Sequence, residues 1–163
     1  MVDEKNEMTE IWEVASDIFA NATIFEMDKY IHHRHSTVYE HSLYVTRMSI
    51  RYADFLERLH IKVDRKSLIR GALLHDFFLY DWRAPKHKLH GFKHAGIAYQ
   101  NAIKLFKINK IERDIIKKHM FPLTPIPPTK RESIIVCIAD KVCAIYEYLG
   151  SRYKGNLIWA LRK

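Results

Sequence analysis

Apolar residues recur along this chain at helical rather than alternating spacing, in segments parted by polar or proline-rich breaks. In residues 10–25 they fall at Ile11, Trp12, Val14, Ala15, Ile18, Phe19 and Ala22, which is helical spacing. Residues 38–60 carry the same signature at Val38, Leu43, Val45, Met48, Ile50, Tyr52, Phe55 and Leu56. Asp64 is placed to cap a helix over residues 66–78, because its carboxylate can accept a free first-turn N–H. Residues 80–89, with Pro85 and several polar side chains, read as a loop, and helical spacing returns at 95–106 and 111–120. Pro122, Pro125, Pro127 and Pro128 lack the N–H a helix requires, so residues 121–128 form an irregular connection. Thr129 followed by Glu132 is a capping-box pattern opening a last helix over 130–149, with Gly150 as its stop. The expected fold is all-α, a single compact helical domain of about six to eight helices.

Composition narrows the class. A chain of 163 residues, 48% apolar and 28% charged, can bury a core without disulfides, and five glycines are too few for a turn-rich β fold. Cys137 and Cys143 lie on an apolar helical stretch and read as core packing. No apolar run approaches the roughly 20 residues of a membrane span. The charged start Met1-Val2-Asp3-Glu4-Lys5 has no apolar region behind it, so a cytoplasmic protein without a secretory signal is expected. The formal charge of +8 favours anionic partners, among them nucleotides and other phosphate esters. Nucleic acid is a weaker fit, since no aromatic residues interleave with basic ones to make a stacking surface. Leu157, Ile158, Trp159 and Leu161 give the tail 151–163 enough apolar surface to dock on the body or form a homodimer contact.

Candidate chemistry lies where ionisable residues interrupt apolar helices. His75 and Asp76 follow Ala72-Leu73-Leu74 and precede Phe77-Phe78. Burying two such groups costs on the order of several kcal/mol unless they are paired or bound to a cation. Asp140 poses the same problem within Ile134-Ile135-Val136-Cys137-Ile138-Ala139-Asp140-Lys141-Val142, and a Lys, an Arg or a metal would answer it. His41 stands within the second helix, where a single histidine ordinarily needs no special explanation. The four become informative as an ordered set: a His, then His-Asp, then an Asp, each on its own predicted helix.

In that order they resemble the HD domain superfamily of metal-dependent phosphohydrolases. Tyr39-Glu40-His41-Ser42-Leu43 is similar to the first motif, Gly71-Ala72-Leu73-Leu74-His75-Asp76 to the second, and Ile138-Ala139-Asp140-Lys141 to the last. The resemblance spans residues 38–147 and implies that His41, His75, Asp76 and Asp140 hold a metal ion. Two-metal members place two further histidines between the second and last motifs. His94 and His119 occupy that interval, with His90 in reserve four residues before His94. Imidazoles and carboxylates without a Cys ligand suit one or two divalent ions of Mn, Fe, Co, Ni or Zn.

The resemblance further implies hydrolysis of a nucleotide or related small phosphate ester by metal-activated water, as a phosphomonoesterase or phosphodiesterase, with His75 and Asp76 at the catalytic centre. Lys141, Lys118 and Lys93 each adjoin a ligand and are candidates for binding substrate phosphate, whereas Arg47 lies off the His41 face. Some branches carry a Glu or Lys three residues after the Asp. Here Leu79 stands there, with Asp81 as the nearest substitute, so a non-catalytic metal- and nucleotide-binding HD module is the competing reading. His32, His33 and His35 read either as one wall of the cleft or as a polar turn, and His60 and His87 as surface residues. The whole chain, 1–163, is expected to be one HD domain: a core over 38–149, with N-terminal helices 8–35 and the tail 151–163 packed on it.

Overall fold

The computed structural model describes residues 4–33 and 36–150, so His35 and the Trp159 cluster lie outside the described residues. The helices are α1 (Glu4–Val14), α2 (Ser16–Phe19), α3 (Val38–Arg58), α4 (Arg65–Leu74), α5 (His90–Leu105), α6 (Lys110–Lys118) and α7 (Arg131–Gly150). 3-10 segments occupy Ala22–Lys29 and Pro85–His87, and a small hairpin joins β1 (Ile31–His33) to β2 (Ser36–Thr37) in antiparallel pairing. The all-α expectation holds, with this hairpin as its one β feature among the described residues. No described helix is long and apolar enough to cross a membrane.

Several boundaries differ from those expected, for local reasons. The first helix breaks at Ala15 and again after Phe19, where the Asn21 side chain accepts the Thr23 N–H and opens the 3-10 segment. α4 stops at Leu74 rather than running to residue 78, because the Phe78 N–H turns back to Asp76 O at 2.6 Å. α5 begins at His90, five residues before the expected start. Thr129 and Glu132 do not form the expected capping box. Thr129 donates its hydroxyl to Asp114, and Glu132 accepts the Asp64 N–H. The Asp114 carboxylate takes over the cap, accepting the Thr129 and Lys130 N–H groups at 2.8 and 3.2 Å. True capping boxes open α3 (Thr37 with Glu40) and α6 (Asn109 with Glu112), while Asp64 caps α4 as expected.

Helix α4 organises the interior. Residues 67–78 are buried without interruption, so this segment presents apolar side chains to every side. Ile69, Leu73 and Leu74 join a cluster with Ile11, Ile18, Met27 and Phe77, while Leu68 and Ala72 join another with Val45, Ile115 and Val136. The end of α4, and therefore His75-Asp76, is held in the middle of the fold between α3, α6 and α7. Gly71 permits this packing: a Cβ there would collide with Ile115 Cδ1 and lie 3.1 and 3.2 Å from Ile115 Cβ and Cγ2. Gly71→Ala is expected to destabilise the protein by about 1–3 kcal/mol through overpacking. A denaturation midpoint equal to that of the parent would show that α6 yields freely.

Candidate metal centre

The last carbonyls of a helix have no partner within it, and two histidines exploit this. His75, at the end of α4, donates its Nδ1–H to Ala72 O at 2.7 Å. His119, at the end of α6, does the same to Ile116 O at 2.9 Å. His94, in the first turns of α5, donates Nδ1–H to His90 O at 2.9 Å. A carbonyl can only accept, so each ring carries a proton on Nδ1 and turns Nε2 inward, where it can ligate once unprotonated.

Those Nε2 atoms converge. His94 Nε2 and His119 Nε2 stand 2.9 Å apart and lie 3.2 and 3.4 Å from Asp76 Oδ1. Two imidazole lone pairs and a carboxylate oxygen repel at this range unless a proton or a metal cation lies among them. His75 Nε2 is buried without a hydrogen-bond partner, 3.6 Å from Asp76 Oδ2 and 3.8 Å from Asp140 Oδ1. His41 on α3 is held at both ring nitrogens, by Glu147 Oε2 at 2.9 Å and Asp140 Oδ1 at 3.1 Å. Ligand atoms of His41, His75 and Asp140 lie within 4.8 Å of one another, as do those of His75, Asp76 and His119. Asp76 spans the groups, with Oδ1 toward His94 and His119 and Oδ2 toward His75. This set of nitrogen and oxygen donors, lacking sulfur, fits one or two divalent ions.

Two participants were not among the expected ligands. Glu147 follows Asp140 by two turns, roughly 20° around the helix, so both carboxylates face His41; that spacing is visible in the sequence. His32 on β1 places Nε2 2.8 Å from Asp76 Oδ2, and its ring stacks on His41 at 4.2 Å. Three near-consecutive histidines gave no indication of which one turns inward.

The electrostatics follow from this clustering. Burial alone would raise the carboxyls of Asp76 and Asp140, but the surrounding histidines hold both well below the usual carboxylate range. Burial likewise opposes charge on His41, yet the hydrogen bonds its ring donates to Asp140 and Glu147 raise it to about 10. Burial depresses His119, and burial with the nearby His94 pushes His90 down to about 4.

The expected phosphate contacts separate. Lys141 borders the cavity over the site, its Nζ donating to His119 O at 2.7 Å and Cys137 O at 3.2 Å. Lys118 pairs with Asp114 at 2.5 Å and borders a different cavity, and Lys93 is exposed beside Tyr80 and His87. Neighbours on a helix point about 100° apart, so adjacency to a ligand does not bring a side chain into the site. Arg47 binds Glu7 at 2.9 Å. Leu79 packs on the core, and the exposed Asp81 pairs with Arg83, so neither supplies an acid or base to the centre.

The sequence model of the HD domain matches residues 38–145, from the start of α3 almost to the end of α7. The chain belongs to the HD domain family. This HD domain is 31% identical over 120 residues to the dihydroneopterin 2',3'-cyclic phosphate phosphodiesterase of Methanocaldococcus jannaschii, a match covering 68% of the chain and 47% of that protein. The chain therefore spans about half the length of this curated relative. No solved structure matches.

Proposed function

We propose that this HD domain hydrolyses a small phosphate ester with divalent metal, His41, His75, Asp76 and Asp140 holding one ion and Asp76, His94 and His119 a second. The observation that carries this reading is the pair of inward-facing Nε2 atoms of His94 and His119 over Asp76 Oδ1, a grouping that needs positive charge at its centre. Bound there, divalent ions supply polarisation of a phosphoryl group and acidification of water. The chain supplies the rest. Asp76, held anionic across the neutral range, ties the two ligand groups together. Glu147 fixes the His41 ring through Nδ1, as carboxylates behind ligating histidines do. His32 borders the cavity within hydrogen-bonding reach of Asp76, where it can contact a bound phosphoryl oxygen. We take the described helices to form one domain.

The archaeal relative is named for a cyclic phosphodiester of a small molecule. This supports a nucleotide or similar small ester here, cleaved as a diester or monoester. The test is metal analysis together with hydrolysis of bis(4-nitrophenyl) phosphate, 4-nitrophenyl phosphate and cyclic nucleotides under added Mn, Co or Ni. Metal uptake with turnover that disappears in Asp140→Ala is expected. Metal retained without turnover of any ester would leave only a binding module, and failure to take up any divalent ion would remove both readings.

A further inference from the structure

The cavity over the metal centre is lined by two chemically distinct sets of residues. Asp76, His94, His119 and Asp140 belong to the polar set, with His32, His90 and Lys141, so a phosphoryl group bound for hydrolysis would lie against them. Trp82, Gly91, Met120, Pro122, Leu123 and Ala144 make up the other set, none of them charged. Trp82 is fixed in place: its indole N–H donates to Ile31 O at 3.0 Å and His32 O at 3.2 Å. Its ring lies nearly parallel to His90 at 5.5 Å, and His90 to His94 at 4.5 Å, giving a column of flat rings from the cavity rim to the ligands.

Cations are scarce here. Lys141 is the one Lys or Arg among the described lining residues, and its ammonium is already engaged by two backbone carbonyls. The basic side chains of α6, Lys110, Arg113, Lys117 and Lys118, line a separate cavity. A second or third phosphate would thus find neither a guanidinium fork nor a disengaged ammonium, which such groups ordinarily require. The cavity, about 290 Å³, is also at the small end of the roughly 300–1,000 Å³ typical of small-molecule sites.

We propose that the organic part of the substrate is a compact, flat, uncharged ring system carrying a single phosphoryl group, held against the Trp82–Leu123–Ala144 lining, and that polyphosphates are rejected. This rests on the phosphohydrolase reading but has its own measurements. With Mn-loaded full-length protein, kcat/KM is compared for benzyl phosphate, glycerol phosphate (both with alkoxide leaving groups) and a nucleoside triphosphate. The ring ester is expected to exceed each of the others by about tenfold or more. Ala144→Phe, which adds bulk to the apolar lining, is expected to lower the ratio of ring ester to glycerol phosphate by about tenfold. Independently of turnover, calorimetry should show a nucleoside monophosphate binding more tightly than glycerol phosphate, with that advantage lost in Ala144→Phe. Preference for the triphosphate, or equal treatment of ring and glycerol esters in both measurements, would overturn the proposal. Ring-selective binding without hydrolysis would support it while removing the enzymatic reading beneath it.

Discussion

Asp76→Ala is expected to abolish ester hydrolysis, by at least roughly a thousandfold, and to reduce bound metal to at most about one ion per chain. Asp76 approaches both ligand groups with separate oxygens, Oδ1 toward His94 and His119 and Oδ2 toward His75. Its loss would leave His94 and His119 with facing lone pairs and no anion to favour a cation between them. Asp76→Asn would serve poorly as a conservative replacement, because its amide N–H₂ would point at either His32 or His94 and cannot ligate. Metal content and kcat/KM, measured beside circular dichroism to establish folding, decide the matter. A folded Asp76→Ala protein with parental activity would remove Asp76 from the centre.

Metal uptake is expected to release protons and to tighten with rising pH, by about tenfold per unit between pH 6 and 9. His41 is the source. Burial works against its charge, but Asp140 and Glu147 raise it to about 10, so the metal-free protein carries the imidazolium at neutral pH. Ligation through Nε2 requires that proton to leave, while Glu147 keeps the one on Nδ1. The sign for folding is opposite. A group whose pKa is raised on folding contributes fully below its unfolded value near 6.5, and that contribution is lost as pH climbs toward 10. The metal-free fold should therefore weaken over the window in which metal affinity grows. Glu147→Gln is expected to flatten the pH dependence and to cost about 10–100-fold in affinity at high pH. Titration in weakly buffered solution reads the proton release directly, and an affinity constant from pH 6 to 9 would refute the assignment to His41.

The helical framework was largely legible because α3, α5, α6 and α7 each carry a clear apolar period. The break at Ala15 was not, since Ile11, Ala15, Ile18 and Phe19 are all buried and keep helical spacing across the turn. Periodicity reports which side is buried, whatever the backbone does between turns. At the site, where the structure brings the six expected ligands together, His75, Asp76 and Asp140 stand out in the sequence as ionisable groups in apolar segments, whereas His41, His94 and His119 are legible only through the resemblance to the HD domain. His32 did not stand out: its direction is set by the β1–β2 hairpin, which has too few residues to show alternation. The lysines illustrate the converse problem, since sequence proximity to His94 and His119 says nothing of direction around a helix.

The capping of α4 and α6 by His75 and His119 has a further consequence. A helix carries about half a negative charge at its C-terminal end, and here two such ends meet the carboxylates of Asp76, Asp140 and Glu147 in one buried space. That electronegative focus attracts a cation and repels a phosphate dianion. Ordered occupancy is therefore expected: a phosphate ester should enter productively only after a metal has reversed the sign of the local field, and one offered to metal-free protein should find the centre closed to its phosphoryl group.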